Sequence, residues 1–184
     1  MTKTFPGMTV ETSSLEKGCS VSLFDGMFAA GGVTLSQVSI MTGLEPYLIQ
    51  NWVKRGFVSS PQRRLYSREQ FARIVIINML RESLQIEKIC GLIRVIGGES
   101  AGKEDDLIRD DALYHRYVDL LAEDRFVLSD PQSIHDAATH AAEDLPEPFP
   151  GARQKLATIL QIMLYAHAAA RLRHAAEEQL GSLQ

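Results

Sequence analysis

Several groups of side chains in this sequence have the types that catalysis or metal binding calls for. His115, the pair His135-Asp136 and Asp144 run in the order H…HD…D, a donor order suited to divalent metals and phosphate-ester hydrolysis. Their spacings are tight and the flanking pattern is an alanine-rich amphipathic helix, which gives them the character of chance neighbours on helix surfaces. Asp105, Asp106, Asp110 and Asp111 could gather a cation, yet four acids near a helix start are accounted for as a solvated end favoured by the macrodipole. His167 and His174 lie seven apart on one helical face, a spacing open to pairing across an interface or to ordinary surface placement. Cys90 falls in an apolar stripe with Ile86, Ile89, Ile93 and Ile96, the setting of an inert buried thiol. The chain has no P-loop, no GxGxxG after a strand, no Gly-x-Ser-x-Gly and no HExxH. The expectation is a protein that is not an enzyme and holds no metal or cofactor.

A different constellation is better formed. In the segment PYLIQNWVKRG, Tyr47, Gln50, Asn51 and Lys54 stand at i, i+3, i+4 and i+7, one polar face of a short helix. Leu48, Ile49, Trp52 and Val53 form the opposite stripe, so the indole is expected to pack inward. Asn and Gln have the donor and acceptor pair that reads adenine in the major groove. Lys54, Arg55, Arg63, Arg64 and Arg68 supply cations that neutralise phosphates without reading sequence.

Positioning that face requires a set of short elements. Residues 1–14 are Thr/Ser-rich with a Pro-Gly step and read as a frayed N-terminus. Leu23, Phe24, Met27 and Phe28 give a short amphipathic helix ended at Gly31-Gly32. Thr34-Leu35-Ser36-Gln37 is a capping box opening a helix that stops at Gly43. Pro46 suits the first position of the next helix, which ends at Gly56. Two short helices across a glycine turn, the second with a free polar face, form the helix-turn-helix pattern. FVSSPQRRLYS then predicts a small β-hairpin wing turning at Ser-Ser-Pro-Gln, with Arg63 and Arg64 on its return side. Ser67-Arg68-Glu69-Gln70 is a second capping box. The helix behind it carries Phe71, Ile74, Val75, Ile77 and Leu80, apolar on more than one face and central to the core. Residues 99–106 read as a linker. Helices follow over about 105–124, from Pro131 (capped by Asp130) to about Asp144, and over about 151–179, this last one apolar nearly all round from Leu156 to Ala170.

The fold class expected is mainly α, a winged helix-turn-helix over 15–98 followed by an all-helical C-terminal domain over 99–184. Net charge is −4 over 184 residues, but it is unevenly spread. Residues 30–98 hold nine Lys/Arg against four Asp/Glu, whereas 99–147 hold four against fourteen. A basic block beside an acidic one implies halves with different partners. Two cysteines suit a reducing cytoplasm, and no apolar run is long enough to span a bilayer, so no membrane partner is expected.

The stretches TLSQVSIMTGLEPYLIQNWVKRGFV and RRLYSREQFARIVIINMLRESLQIEKICGLI resemble the winged helix-turn-helix of the MerR family of bacterial regulators. The Gly43 turn, Trp52, Lys54-Arg55-Gly56 and Arg64-Leu65-Tyr66-Ser67 fall in that family's order. The segment is more similar still to a MerR-like bacterial family classed as a domain of unknown function, in which Gln-Asn-Trp-Val-Lys-Arg-Gly replaces the usual Arg-Tyr-Tyr version. Gln50 stands where MerR proteins usually carry a backbone-gripping arginine, the wing is short, and the family's metal-binding cysteines and long dimer helix are absent. The resemblance implies a fold and a mode of duplex binding, not metal sensing. Tyr47, Gln50 and Asn51 are then the expected base readers; Lys54, Arg55, Arg63, Arg64 and Arg68 the expected phosphate contacts. Double-stranded DNA and a second copy of the chain are the expected partners. The dimer contact falls on Leu156, Ile159, Leu160 and Met163, and the C-terminal half is the place for an effector. The function expected is sequence-specific DNA binding in transcriptional regulation. The alternative is a winged-helix module that binds protein and not DNA.

Overall fold

In the computed structural model the described residues are 3–97, 107–123 and 128–183. They are mainly helical, with two small antiparallel strand pairs. The N-terminal segment is the first departure from expectation, because it is pinned rather than frayed. Strands β1 (Lys3–Thr4) and β2 (Glu11–Thr12) pair antiparallel, and the turn between them drives Phe5 and Met8 into the core. Gly7 has φ +71°, and a Cβ there would lie 2.5 Å from the Val75 carbonyl oxygen, so the close approach requires glycine. The Gly7 carbonyl accepts from Asn78 Nδ2 at 2.9 Å, and the Pro6 carbonyl accepts from the Tyr114 hydroxyl at 3.0 Å. The Ser/Thr richness of the segment concealed these two apolar anchors.

Helix α1 (Cys19–Phe28) buries Phe24. Strand β3 (Val33–Thr34) leads into α2 (Leu35–Thr42), whose start has both halves of the capping box: Thr34 Oγ1 accepts from Gln37 N, and Gln37 Oε1 accepts from Thr34 N. Gly43, at φ +69°, ends it with its N–H on the Ser39 carbonyl. Helix α3 (Pro46–Lys54) begins on its proline and stops where Gly56, φ +76°, reverses the chain; Phe57 N–H then donates to the Trp52 carbonyl at 2.9 Å.

The hairpin region also differs from the sequence reading. The tight turn is not Ser-Ser-Pro-Gln but Arg63-Arg64, between Gln62 and Leu65, which exchange both backbone hydrogen bonds. Strand β4 (Leu65–Tyr66) then pairs with β3, Val33 opposite Tyr66. The return strand therefore closes on the segment before α2, and that tethers the hairpin to the helix pair. Tyr66, buried in the core, is the side chain that selects this pairing.

Helix α4 (Arg68–Leu80), opened by the Ser67/Gln70 capping box, buries eight of its residues and is the central element. Against it pack α5 (Ile86–Ile96), α6 (Asp110–Glu123) and α8 (Ala152–Gly181), and α7 (Pro131–Ala142) packs in turn on α8 and α6. Asp130 caps α7 through the N–H groups of Gln132 and Ser133. One continuous core crosses from the basic to the acidic half: Phe24 packs on Phe71 at 5.5 Å and stacks on Tyr114 at 5.4 Å. The linker expected at 99–106 lies outside the described residues, and α6 begins at Asp110, later than the expected 105. No helix among the described residues is long and apolar enough to cross a membrane.

Candidate nucleic-acid interface

The α3 surface is set by Trp52. The indole is 3% exposed and sits beside Ile49, also buried, so the opposite edge of the helix is forced outward. Tyr47 (70% exposed), Gln50, Asn51 and Lys54 all lie on that outer edge. None of them is bound beneath the acidic half. Arg55 is exposed at the helix end, its guanidinium 4.5 Å over the Phe57 ring and 3.8 Å from Glu87.

Arg63 and Arg64 occupy the two central turn positions with φ +50° and +66°. Both-positive φ is what a two-residue hairpin demands, and it is usually supplied by Asn-Gly. Two arginines there hold the backbone in a region that costs an L-residue about 1–2 kcal/mol. Their side chains are exposed at the tip. Gln70 fixes the preceding loop by donating to the Ser59 carbonyl at 2.9 Å and the Ser60 carbonyl at 3.0 Å. The capping-box pattern located Gln70, but its second role needed the fold. A groove of about 340 Å³ joins the two parts of the surface; Gln50 and Arg64 line it together with Leu35, Val53, Pro61 and Tyr66.

Arg68 departs from its expected role. It is turned inward, paired with Asp25, 3.1 Å from Asp111, and 3.1 Å from His115 Nε2. Its guanidinium also lies 5.5 Å over the Phe24 ring, so it bolts α1, α4 and α6 together and is spent. Arg73, which the sequence reading did not single out, ties α4 to α6 through Asp110 at 2.8 Å. Asp110 and Asp111 are accordingly buried ion-pair partners, not a solvated helix start; Asp105 and Asp106 lie outside the described residues. Burial holds the Asp110 carboxyl above its ordinary range, against the pull of Arg73. Burial, and then Arg68, hold His115 below its usual imidazole value; its Nδ1 lies 2.9 Å from Ser20 Oγ. Asp111 and Asp110 at the start of α6 thus pair with both cations of α4, Arg68 and Arg73.

The remaining chemical candidates are scattered. His135 Nδ1 lies 2.9 Å from Gln161 Nε2, and Asp144 is bonded to Arg116, which holds its carboxyl below the usual range. Among the described residues no three His, Cys, Asp or Glu side chains are placed to hold one metal ion. His167 is half-buried with a depressed pKa from burial, and His174 Nε2 lies 3.2 Å from Glu82. Cys90 is half-buried, and burial pushes its thiol up. Leu156, Ile159, Leu160 and Met163, the expected dimer contact, are buried inside the single chain. The all-round apolar pattern came from packing on both the α4 and the α7 sides, so these four side chains offer no surface to a second copy.

Fold and surface together define a mainly helical protein with an exposed polar helix edge beside an arginine-tipped hairpin. Residues 33–117 match a family described only as a domain of unknown function (DUF1836). The matched segment runs past Gly98 into α6, and so takes in the buried Arg68–Asp111 and Arg73–Asp110 pairs. No curated protein and no solved structure matches the chain.

Proposed function

We propose that this protein binds double-stranded DNA, with α3 as the groove-entering helix and the Arg63-Arg64 turn as a wing on the flanking phosphates. The observation that carries the reading is the one-sided burial of α3: Trp52 inward, Tyr47, Gln50, Asn51 and Lys54 outward, all within a segment that resembles MerR-type winged helix-turn-helix proteins. In this mode the N-terminal part of α3 meets base edges. Asn51 and Gln50 present amide pairs to adenine, and Lys54, Arg55, Arg63 and Arg64 release counterions from phosphates. Arg68 is no longer among the contacts. Neutralisation of Asp110 and Asp111 within the core removes two charges that would otherwise repel a polyanion. Such a protein in the cytoplasm would act in transcriptional regulation as a dimer on two half-sites.

The apolar floor of the groove between Gln50 and Arg64 supports a second reading, in which the same surface takes a protein segment. Fluorescence-anisotropy titration of genomic duplex fragments at two ionic strengths separates them. DNA binding shows affinity falling steeply with salt. Absence of binding to any duplex at low salt sinks the DNA reading and leaves the protein one.

A further inference from the structure

Helices α3 and α5 finish on the same small cavity, and each brings an arginine to it. Arg55 caps α3, Arg94 stands in the last turn of α5, and Arg73 arrives from within α4. The cavity measures about 230 Å³, and Gly56, Phe57, Cys90, Ile93 and Gly97 complete its wall. A cation in the last turn of a helix is favourable by itself, because it offsets the negative end of the macrodipole. That accounts for Arg55 or Arg94 taken singly. It does not account for three guanidinium groups around one hollow that no carboxylate lines. Like charges gathered in a concavity repel one another, and a counter-ion in the hollow relieves the repulsion.

The chain itself answers only part of this charge. Arg73 is fixed by its Nε, which donates to Asp110 at 2.8 Å, and that bond uses one of the five N–H groups of a guanidinium. Arg55 lies 4.5 Å over the Phe57 ring and 3.8 Å from Glu87, whose side chain is 71% exposed, so that ion pair is weak. Arg94 is exposed and has no hydrogen bond or ion pair among the described residues. The Cys90 thiol feels the combined field: burial pushes its pKa up, and Arg55 and Arg94 both pull against that.

Guanidinium forks match the paired oxygens of a phosphate, which a point-like halide does not offer. The size agrees. Liquid water takes about 30 Å³ per molecule, so the hollow has room for a phosphate group and little more. It falls below the ~300–1,000 Å³ of pockets that enclose drug-sized ligands. We infer that Arg55, Arg73 and Arg94 form a binding site for a phosphate group, carried by a small phosphorylated molecule or by the duplex backbone beside α3. Only the second source rests on the DNA reading. The site itself is defined by the three arginines and not by the base-reading edge.

Calorimetric titration of the full chain with inorganic phosphate, against sodium chloride at matched ionic strength, is the test. The wild type should bind one phosphate saturably, and the amide resonances of Gly56, Phe57 and Gly97 should move along the same isotherm. Arg94→Ala should weaken binding about tenfold or more, through the loss of a hydrogen bond to a charged group. Arg94→Lys, which keeps the charge without the fork, should recover part of that loss. Neither variant should shift the thermal melt without phosphate, because Arg94 is exposed and unpaired among the described residues. Lys88→Ala, an exposed cation of α5 outside the cavity, should leave binding unchanged. Added duplex names the source: phosphate displaced by duplex assigns the site to a backbone phosphate, and phosphate left in place assigns it to a free phosphorylated molecule. A duplex that fails to bind at all sinks the DNA reading and leaves the site standing. Absence of saturable phosphate binding overturns the inference. So does an affinity that Arg94→Ala leaves unchanged, or that Lys88→Ala lowers as much.

Discussion

The strained turn at Arg63-Arg64 sets stability against binding in a way that one double substitution reads out. Arg63→Asn with Arg64→Gly installs the residues this turn geometry favours while keeping its backbone, since φ is already +50° and +66°. Relieving a left-handed arginine is worth about 1–2 kcal/mol at the glycine position. The extra freedom of glycine in the unfolded chain returns about 0.5–1 kcal/mol of that. Asn, which tolerates the left-handed region, recovers a similar net amount at position 63. The sum is a stabilisation of about 1–2 kcal/mol, or a rise in Tm of roughly 2–8 °C for a chain of this size. Both guanidinium groups are lost from the tip, so affinity for every duplex should fall about equally and the slope of log affinity against log salt should shrink by about two. Thermal melts and anisotropy titrations on the same samples measure both halves. A variant less stable than wild type refutes the strain argument. Unchanged affinity and salt slope refute the assignment of the wing as a phosphate contact.

Other outcomes follow from the core. Trp52→Ala empties a fully packed site and should cost about 3–5 kcal/mol in urea unfolding, abolishing duplex binding with it; a loss under 1 kcal/mol would mean the indole does not organise α3. Leu160→Lys should unfold the chain rather than yield a folded monomer, because its side chain has no exposure; a folded monomer on a sizing column would contradict this. Arg73→Met leaves Asp110 buried without its partner and should destabilise by about 3 kcal/mol near neutral pH, less in acid where the carboxyl takes up a proton; equal losses at both pH values would show the pair to be unimportant. His115 is held below its ordinary value of 6.5, so the unfolded chain binds the proton first. Its contribution is full above 6.5 and is lost as pH falls through the depressed folded value. Chemical unfolding at pH 7 and pH 5 should therefore show a smaller acid loss in His115→Gln than in wild type, and an unchanged difference would refute that role.

The local elements were legible because they obey local rules. Both capping boxes, Pro46 at a helix start, Gly43 at a helix end and the inward Trp52 are each decided within a few residues. What escaped depends on contacts distant in sequence. Arg68 continues the basic stretch of Arg63 and Arg64 at the start of α4, and its pairing with Asp111 and His115 from α6 turns it inward. The N-terminal anchors Phe5 and Met8 show no periodicity of their own and are read only against Val75 and Tyr114. In α8, sequence pattern found the buried stretch, but which apolar residues stay outside is fixed by where the body of the protein stops. The hairpin was displaced because Ser59-Ser60-Pro61-Gln62 has turn composition, whereas the pairing of Tyr66 with Val33 places the reversal later.

Selection from a randomised duplex library, run in parallel with wild type and Asn51→Ala, probes the α3 surface most directly. The wild type should enrich a defined motif, and Asn51→Ala should relax or change that motif at one position while leaving overall phosphate affinity nearly intact. Failure of the wild type to enrich any sequence, or the same motif emerging from both proteins, would contradict the claim that the outer edge of α3 reads bases.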